Sequence, residues 1–269
     1  MRIDERCVLS VENKVALVTG ASKGIGKAIA LHFASRHMKL CLLSRSQAHL
    51  DTLVREIEDK YHYTPMTLAM DVGAEGAAQE AISQVHTAFG RVDILINNAG
   101  GPPPGSFLTV DNAAWHEAIE KTLLAPIHFA TAAAPFMKQQ RWGRIINITS
   151  LQAKEPSPEM VLSATLRAGV SAFSKAISIE LAALGITVNT VCPSAVLTDR
   201  MVDLTQRIAE RDAKTYDEVL DAAKARIPMA RFSTPDEIAS LVAFLASDEA
   251  GYITGQSLSI DGGLSKATL

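Results

Sequence analysis

Three glycines and two cations have types and spacing that suggest chemistry. Thr19-Gly20-Ala21-Ser22-Lys23-Gly24-Ile25-Gly26 follows an apolar run, Val15-Ala16-Leu17-Val18, and leads into Lys27-Ala28-Ile29-Ala30-Leu31-His32-Phe33, whose apolar residues recur at helical spacing. Strand, glycine turn and helix, in that order, bring a helix N-terminus and bare backbone N–H groups up to a phosphate. Glycine is needed because the turn has unusual dihedrals and a pyrophosphate must approach the main chain closely. The spacing is G-x-x-x-G-x-G, not the stricter G-x-G-x-x-G fingerprint. An ordinary tight turn is the alternative, and the flanking strand and helix favour dinucleotide binding. A second apolar run, Lys39-Leu40-Cys41-Leu42-Leu43, ends in Ser44-Arg45, where a NAD-type site would carry an acid for the ribose 2′-OH. Arg45, together with Lys23 inside the turn, offers two cations and no carboxylate. That suits a 2′-phosphate, so NADP(H) is expected over NAD(H).

These residues need a sheet to position them. Strand-like runs are expected at 15–18, 39–43, Pro65–Met70, Val92–Ile96, Arg144–Ile148, Thr187–Val191 and Ser257–Ile260. Between them lie helical patterns: about Gln47–Tyr61, a segment ending near Phe89, Ala113–Gln139 with kinks at Pro126 and Pro135, Met160–Leu184, and Asp236–Ala246. Strands alternating with helices imply right-handed crossovers and a parallel sheet. Thr198–Pro228 is the most polar long stretch and is expected to form mobile helices over a cleft. The fold class is therefore α/β: a single Rossmann-type doubly wound parallel sheet with helices on both faces.

The chain has 269 residues, 48% hydrophobic and 20% charged, with net charge −3. It reads as one domain over 1–269, with 1–12 as an N-terminal extension. Near-neutral charge argues against nucleic acid as the main partner. No secretory signal is read at the N-terminus, and no run of about 18 apolar residues exists to span a membrane. Cys7, Cys41 and Cys192 are odd in number and widely spaced. Cys41 and Cys192 read as reduced core thiols of a cytoplasmic protein. No Cys/His cluster has ligand spacing, so no metal is expected.

In combination, Thr19–Gly26, Asp71-Val72, Asn97-Asn98-Ala99-Gly100, Gly143-Arg144-Ile145, Ser150, Gly185-Ile186-Thr187-Val188-Asn189, Ile253-Thr254-Gly255-Gln256 and Asp261-Gly262-Gly263 resemble the short-chain dehydrogenase/reductase family, of the beta-ketoacyl-acyl-carrier-protein reductase type. The resemblance runs from Lys14 to Gly263. It implies about seven strands, a homotetramer or homodimer, and a cofactor at the carboxyl ends of the strands. By family position, Gly20, Ser22, Lys23, Gly24, Ile25, Gly26 and Arg45 would hold the phosphates. Asp71 and Val72 would meet adenine, and Asn98, Ala99 and Gly100 the adenosine ribose. Pro193, Val196 and Thr198 would reach the nicotinamide end. Ser194 stands where the family has glycine.

The pattern breaks at the catalytic residues. The family uses a Ser, a Tyr about 13 residues on, a Lys four residues after the Tyr, and an Asn on the preceding long helix. Ser150 matches the Ser, but Ser163 stands at the Tyr position, Arg167 at the Lys position and Thr122 at the Asn position. No slipped alignment repairs this, because the residues four after Tyr61, Tyr63, Tyr216 and Tyr252 are Pro65, Thr67, Leu220 and Gln256. Ser163 and Arg167 share a helix face at i, i+4. Arg167 can supply a permanent cation to the nicotinamide ribose, but no proton relay. A positioned general acid is worth about 10²–10⁴ in rate, and Ser163 is a much weaker acid than a phenol. Lys154, in a loop stiffened by Pro156 and Pro158, is the best replacement acid. Lys121, His116 and His128 are weaker ones, and a solvated side chain is the simpler reading for each. The combination resembles an atypical reductase-like subgroup lacking the Tyr-x-x-x-Lys pair.

Two functions follow. One is an NADP(H)-dependent oxidoreductase on a carbonyl or hydroxyl group of a small-molecule or acyl-thioester substrate, with altered acid–base residues. The other is a catalytically inactive cofactor-binding or partner-binding scaffold.

Overall fold

The structure, a computed structural model, describes residues 11–267. Cys7 and most of the expected extension over 1–12 lie outside that range. Seven strands form one sheet in the order β3-β2-β1-β4-β5-β6-β7. They are β1 Val15–Thr19, β2 Lys39–Ser44, β3 Met66–Ala69, β4 Ile94–Asn97, β5 Gly143–Ile148, β6 Ile186–Pro193 and β7 Ser257–Ile260. Every neighbouring pair is parallel. The chain winds outward from β1 to β3, then returns to the other side of β1 at β4. That reversal opens a crevice at the carboxyl ends of β1 and β4, where an α/β sheet binds ligands.

The five inner strands, β2, β1, β4, β5 and β6, are largely buried on both faces, which is why they read as continuous apolar runs. Within β1, Ala16 and Val18 enter one core with Phe33, Leu53 and Val242. Val15 and Leu17 enter the opposite core with Ile82, Phe129 and Met137. This alternation follows from successive strand side chains pointing to opposite faces. Helices α1 (Gly24–Ala34), α2 (Gln47–Tyr61) and α9 (Pro235–Leu245) cover the first face. Helices α3 (Ala77–Phe89), α5 (Ala125–Gln140) and α6 (Val161–Ala182) cover the second.

The expected long helix at 113–139 is three pieces. Helix α4 (Asn112–Ala118) runs into a π-helical turn, Ile119–Leu124, and then into α5. The Ala125 N–H donates to the Glu120 carbonyl five residues back. Pro126 has no N–H to give the Thr122 carbonyl, so the α-helical ladder could not continue there. The wider turn takes the place of the expected kink. The polar stretch 198–228 holds α7 (Asp199–Asp212) and α8 (Tyr216–Ala225). Strand β3 is shorter than expected at both ends, β4 is displaced to end at Asn97, and β6 extends to Pro193.

Candidate functional site

The glycine turn is locked onto the end of β4. Thr19 Oγ1 accepts from Asn98 N at 2.9 Å, and Asn98 Nδ2 donates to the Thr19 and Gly20 carbonyls at 3.3 and 3.1 Å. Gly20 has φ +58°, the left-handed region that favours glycine. A Cβ on Gly26 would stand 2.7 Å from Asn98 Nδ2 and closer still to the Gly20 carbonyl. The turn therefore comes as near to Asn98 as a side-chain-free backbone permits. Across the crevice, Thr198 Cγ2 lies 3.2 Å from where Gly24 would carry a Cβ. Thr198, at the start of α7, thus packs against the start of α1, whose N-terminus is the kind of place that suits a dinucleotide's pyrophosphate. Lys23 and Arg45 are both exposed at this rim. A bound nicotinamide would supply the hydride chemistry.

The crevice continues into a cleft lined by Val72, Asn98, Ala99, Gly100, Thr122 and Arg167, among others. Sequence positions spread over a hundred residues thus meet. Thr122 is buried and sits in the π-helical turn. Ser150 caps a short 3₁₀ turn, Leu151–Ala153, and accepts from Gln152 N at 3.2 Å. Ser163 is buried one helical turn before Arg167 on α6. Lys154 follows the 3₁₀ turn and, like Arg167, bears electrostatically on the Cys192 thiol, whose pKa burial nevertheless raises.

Arg167 is more committed than its sequence position implied. Its Nη1 donates to the Ile148 carbonyl at 3.0 Å and the Thr149 carbonyl at 2.6 Å. Its Nε is buried without a partner. Burial, and then the neighbouring Arg200, pull its pKa down to about 10.

Other expected site residues have competing engagements. Asp71 accepts from Gly73 N at 3.0 Å and pairs with Lys121 Nζ at 3.5 Å. Lys121 also donates to Glu117 at 2.8 Å, the main reason its pKa is raised. An acid with a raised pKa held by two carboxylates is a structural cation, not a proton donor. Val196 is buried in the core. Pro193 ends β6. His116 Nδ1 contacts the Asn112 carbonyl at 2.6 Å, and both His116 and His128 are exposed.

Sequence reading missed a buried polar chain behind the site. Asn97 Nδ2 donates to Asn147 Oδ1 at 2.8 Å, and Asn147 Nδ2 to Ser174 Oγ at 2.8 Å. Ser174 Oγ donates to the Val170 carbonyl at 2.7 Å. Asn97 also reaches the Pro126 carbonyl at 3.4 Å. The chain ties α5, β4, β5 and α6 together under the cleft. Asn97 lay in a quoted motif, but its pairing with a residue 50 positions away had no sequence signal. Arg200 was missed too.

Known proteins resemble this one along nearly its whole length. The family model described as Enoyl-(Acyl carrier protein) reductase matches residues 20–265. The NADPH-dependent reductase BacG of Bacillus subtilis is 34% identical over 258 residues, covering 96% of this chain and 100% of that one. The 3-oxoacyl-[acyl-carrier-protein] reductase FabG of Thermotoga maritima is 34% identical, covering 95% and 99%. The crystal structure of L-sorbose reductase from Gluconobacter frateurii, complexed with NADPH and L-sorbose, superposes with a TM-score of 0.92 at 28% identity, covering 97% and 99%.

Proposed function

The chain belongs to the short-chain dehydrogenase/reductase family, and on that premise we propose that it is an NADP(H)-dependent oxidoreductase acting on a carbonyl or hydroxyl group. The carrying observation is the glycine turn pressed against Asn98, with Lys23 and Arg45 exposed at its rim. Gly20–Gly26 and Asn98–Gly100 would hold the adenosine half of the cofactor, and Arg45 its 2′-phosphate. Asp71 and Val72 would flank adenine, with Val72 lining the cleft and Asp71 kept in place by Lys121. Pro193, Val196 and Thr198 would face the nicotinamide. Ser150 would orient the substrate oxygen. Thr122 would contribute a hydroxyl where the family has an amide. Arg167 would place a fixed cation beside the nicotinamide ribose. Lys154 is the best remaining proton donor, since no tyrosine stands near Ser150. A 3-oxoacyl thioester is the substrate class suggested by the FabG relatives. Homo-oligomer formation and a cytoplasmic location belong to the same reading.

Calorimetric titration with NADPH and NADH tests it first. NADPH is expected to bind more tightly by about tenfold, the worth of one charge-assisted contact to the 2′-phosphate. Equal affinities would remove Arg45 from its assigned role. NADPH consumption against a carbonyl panel, abolished in Ser150→Ala, is expected next. Ser163 and the carbonyl-bound Arg167 favour one rival, a cofactor-binding scaffold. It predicts tight NADPH binding with no turnover of any panel member.

A further inference from the structure

Two arginines converge beside the place where the reducible group would lie. Arg167 from α6 and Arg200 from the first turn of α7 both direct a guanidinium at Gly101. The Arg200 Nη2 stands 2.9 Å, and the Arg167 Nη2 3.1 Å, from the point where a Cβ on Gly101 would be. A side chain on Gly101 would make the guanidinium groups shift. Each is fixed by carbonyls: Arg167 by Ile148 and Thr149, and Arg200 by Gly101 and Pro102, both at 2.8 Å.

Carbonyl dipoles hold the two groups in place without cancelling two full charges. The arginine ion pairs of the described residues engage Arg91, Arg144, Arg211 and Arg231, and neither Arg167 nor Arg200. Arg207 adds positive charge beside Arg200, and Asp203 opposes it. Burial pulls down the pKa of both arginines, and each is further lowered by an arginine neighbour. Adjacent, partly desolvated like charges repel strongly, and an anion between them would relieve both. The cofactor's pyrophosphate has its own seat at the glycine turn, and the nicotinamide ribose is neutral.

We propose that Arg167 and Arg200 clamp a carboxylate of the substrate, so that the carbonyl reduced here belongs to an oxo acid and not to the 3-oxoacyl thioester that the FabG relatives suggest. The proposal rests on the oxidoreductase reading. Arg167 is anchored on the Thr149 carbonyl, and Ser150 is the next residue, with consecutive Cα atoms about 3.8 Å apart. A carbonyl held at Ser150 and a carboxylate held at the arginines would belong to one small molecule. Arg167 keeps Nη2, and Arg200 one hydrogen on each of Nη1 and Nη2, so each can still give a carboxylate a charge-assisted hydrogen bond.

The test is calorimetric titration with oxamate, which carries a carboxylate next to a carbonyl, and with its uncharged ethyl ester, into the protein with and without NADP⁺. Oxamate is expected to bind, the ester to bind at least about tenfold more weakly, and Arg200→Gln to weaken oxamate by a similar factor. In Arg200→Gln the NADPH affinity should stay within about twofold, and Arg200→Lys should recover part of the oxamate binding. Gly101→Ala changes no charge, yet its Cβ meets both guanidinium groups, so it too should weaken oxamate. Equal affinity for acid and ester, or no saturable oxamate binding, overturns the clamp. So does an NADPH affinity that falls together with oxamate affinity in Arg200→Gln, because the arginines would then serve the cofactor phosphates. Failure of the oxidoreductase reading shows separately, as absent NADPH binding or turnover, since the oxamate titration needs neither.

Discussion

Ser163 and Arg167 differ from a tyrosine and a lysine in separate ways. A hydroxymethyl group cannot release a proton near neutral pH and is too short to reach where a phenol would. A guanidinium keeps its charge but spends one nitrogen on the Ile148 and Thr149 carbonyls. If only the proton donor is missing, the double variant Ser163→Tyr with Arg167→Lys should reduce neutral ketones at least about 10²-fold faster than the native protein, the lower bound for a positioned acid. NADPH absorbance reads this, after melting curves show that the buried site accepts the ring. Oversized core side chains cost about 1–3 kcal/mol. No gain in rate would mean that the cleft lacks more than the donor. At the rim, Arg45→Ala should weaken NADPH by about tenfold and leave NADH unchanged, measured by calorimetry. The glycine spacing and the two cations were legible because they are local. Arg200 was not, because the carbonyls it binds lie 99 and 98 residues away.

Among the elements, the glycine turn tolerates least. Gly26→Ala would drive a methyl group into the Gly20 carbonyl and Asn98, so the turn must open. A loss of about 1–3 kcal/mol in urea unfolding and the disappearance of NADPH binding are expected together. The segment after β7 is tied differently. Glu155 accepts from Ser265 Oγ at 2.7 Å, Lys266 N at 2.7 Å and Ala267 N at 2.9 Å. These bonds, with the one from Ser265 first, hold its pKa below the usual value. A folded pKa below the unfolded one means the tie is fully present above about pH 4.3 and is lost as pH falls through the lowered value. Hydrogen exchange at the Lys266 and Ala267 amides, taken relative to intrinsic rates, should lose its protection over that acid range. In Glu155→Gln it should be lost already at neutral pH. Strands were legible in the sequence because apolar runs report burial directly. The π-helical turn was not, since Pro126 announces a broken ladder without saying which carbonyl takes the next bond.

The whole molecule presents one sheet with a cleft at the carboxyl ends of its central strands, and none of its described helices is long and apolar enough to cross a membrane. Its parallel order followed from the alternation of runs, while the assembly did not. Helix α6 leaves Thr165, Ala168, Ala172, Ala176, Ile179 and Ala183 exposed at three- and four-residue spacing, with Ile179 at 72%. Under the homo-oligomer reading proposed above, that stripe of small and apolar residues is the candidate face for association between copies of this chain. Sedimentation should show a dimer or tetramer for the native protein and smaller species for Ala172→Arg. An unchanged species distribution would place the contact elsewhere.

The π-helical turn at Ile119–Leu124 also bears on how the chain length could have varied. An α-helix that gains one residue normally rotates everything beyond the insertion by about 100°. A π-turn instead stores the extra residue locally and leaves the phase of both flanks intact. Ala118 before it, and Phe129, Ala133 and Met137 after it, all remain core-facing. A one-residue deletion between 119 and 124 should therefore restore plain α-helix and leave a folded protein, with Thr122 withdrawn from the cleft. The same deletion inside α5 would turn Phe129 and Met137 toward solvent and abolish folding. The π-helical turn is a place where the spatial frame of the chain can slip by a residue, and it lies in the wall of the candidate active site.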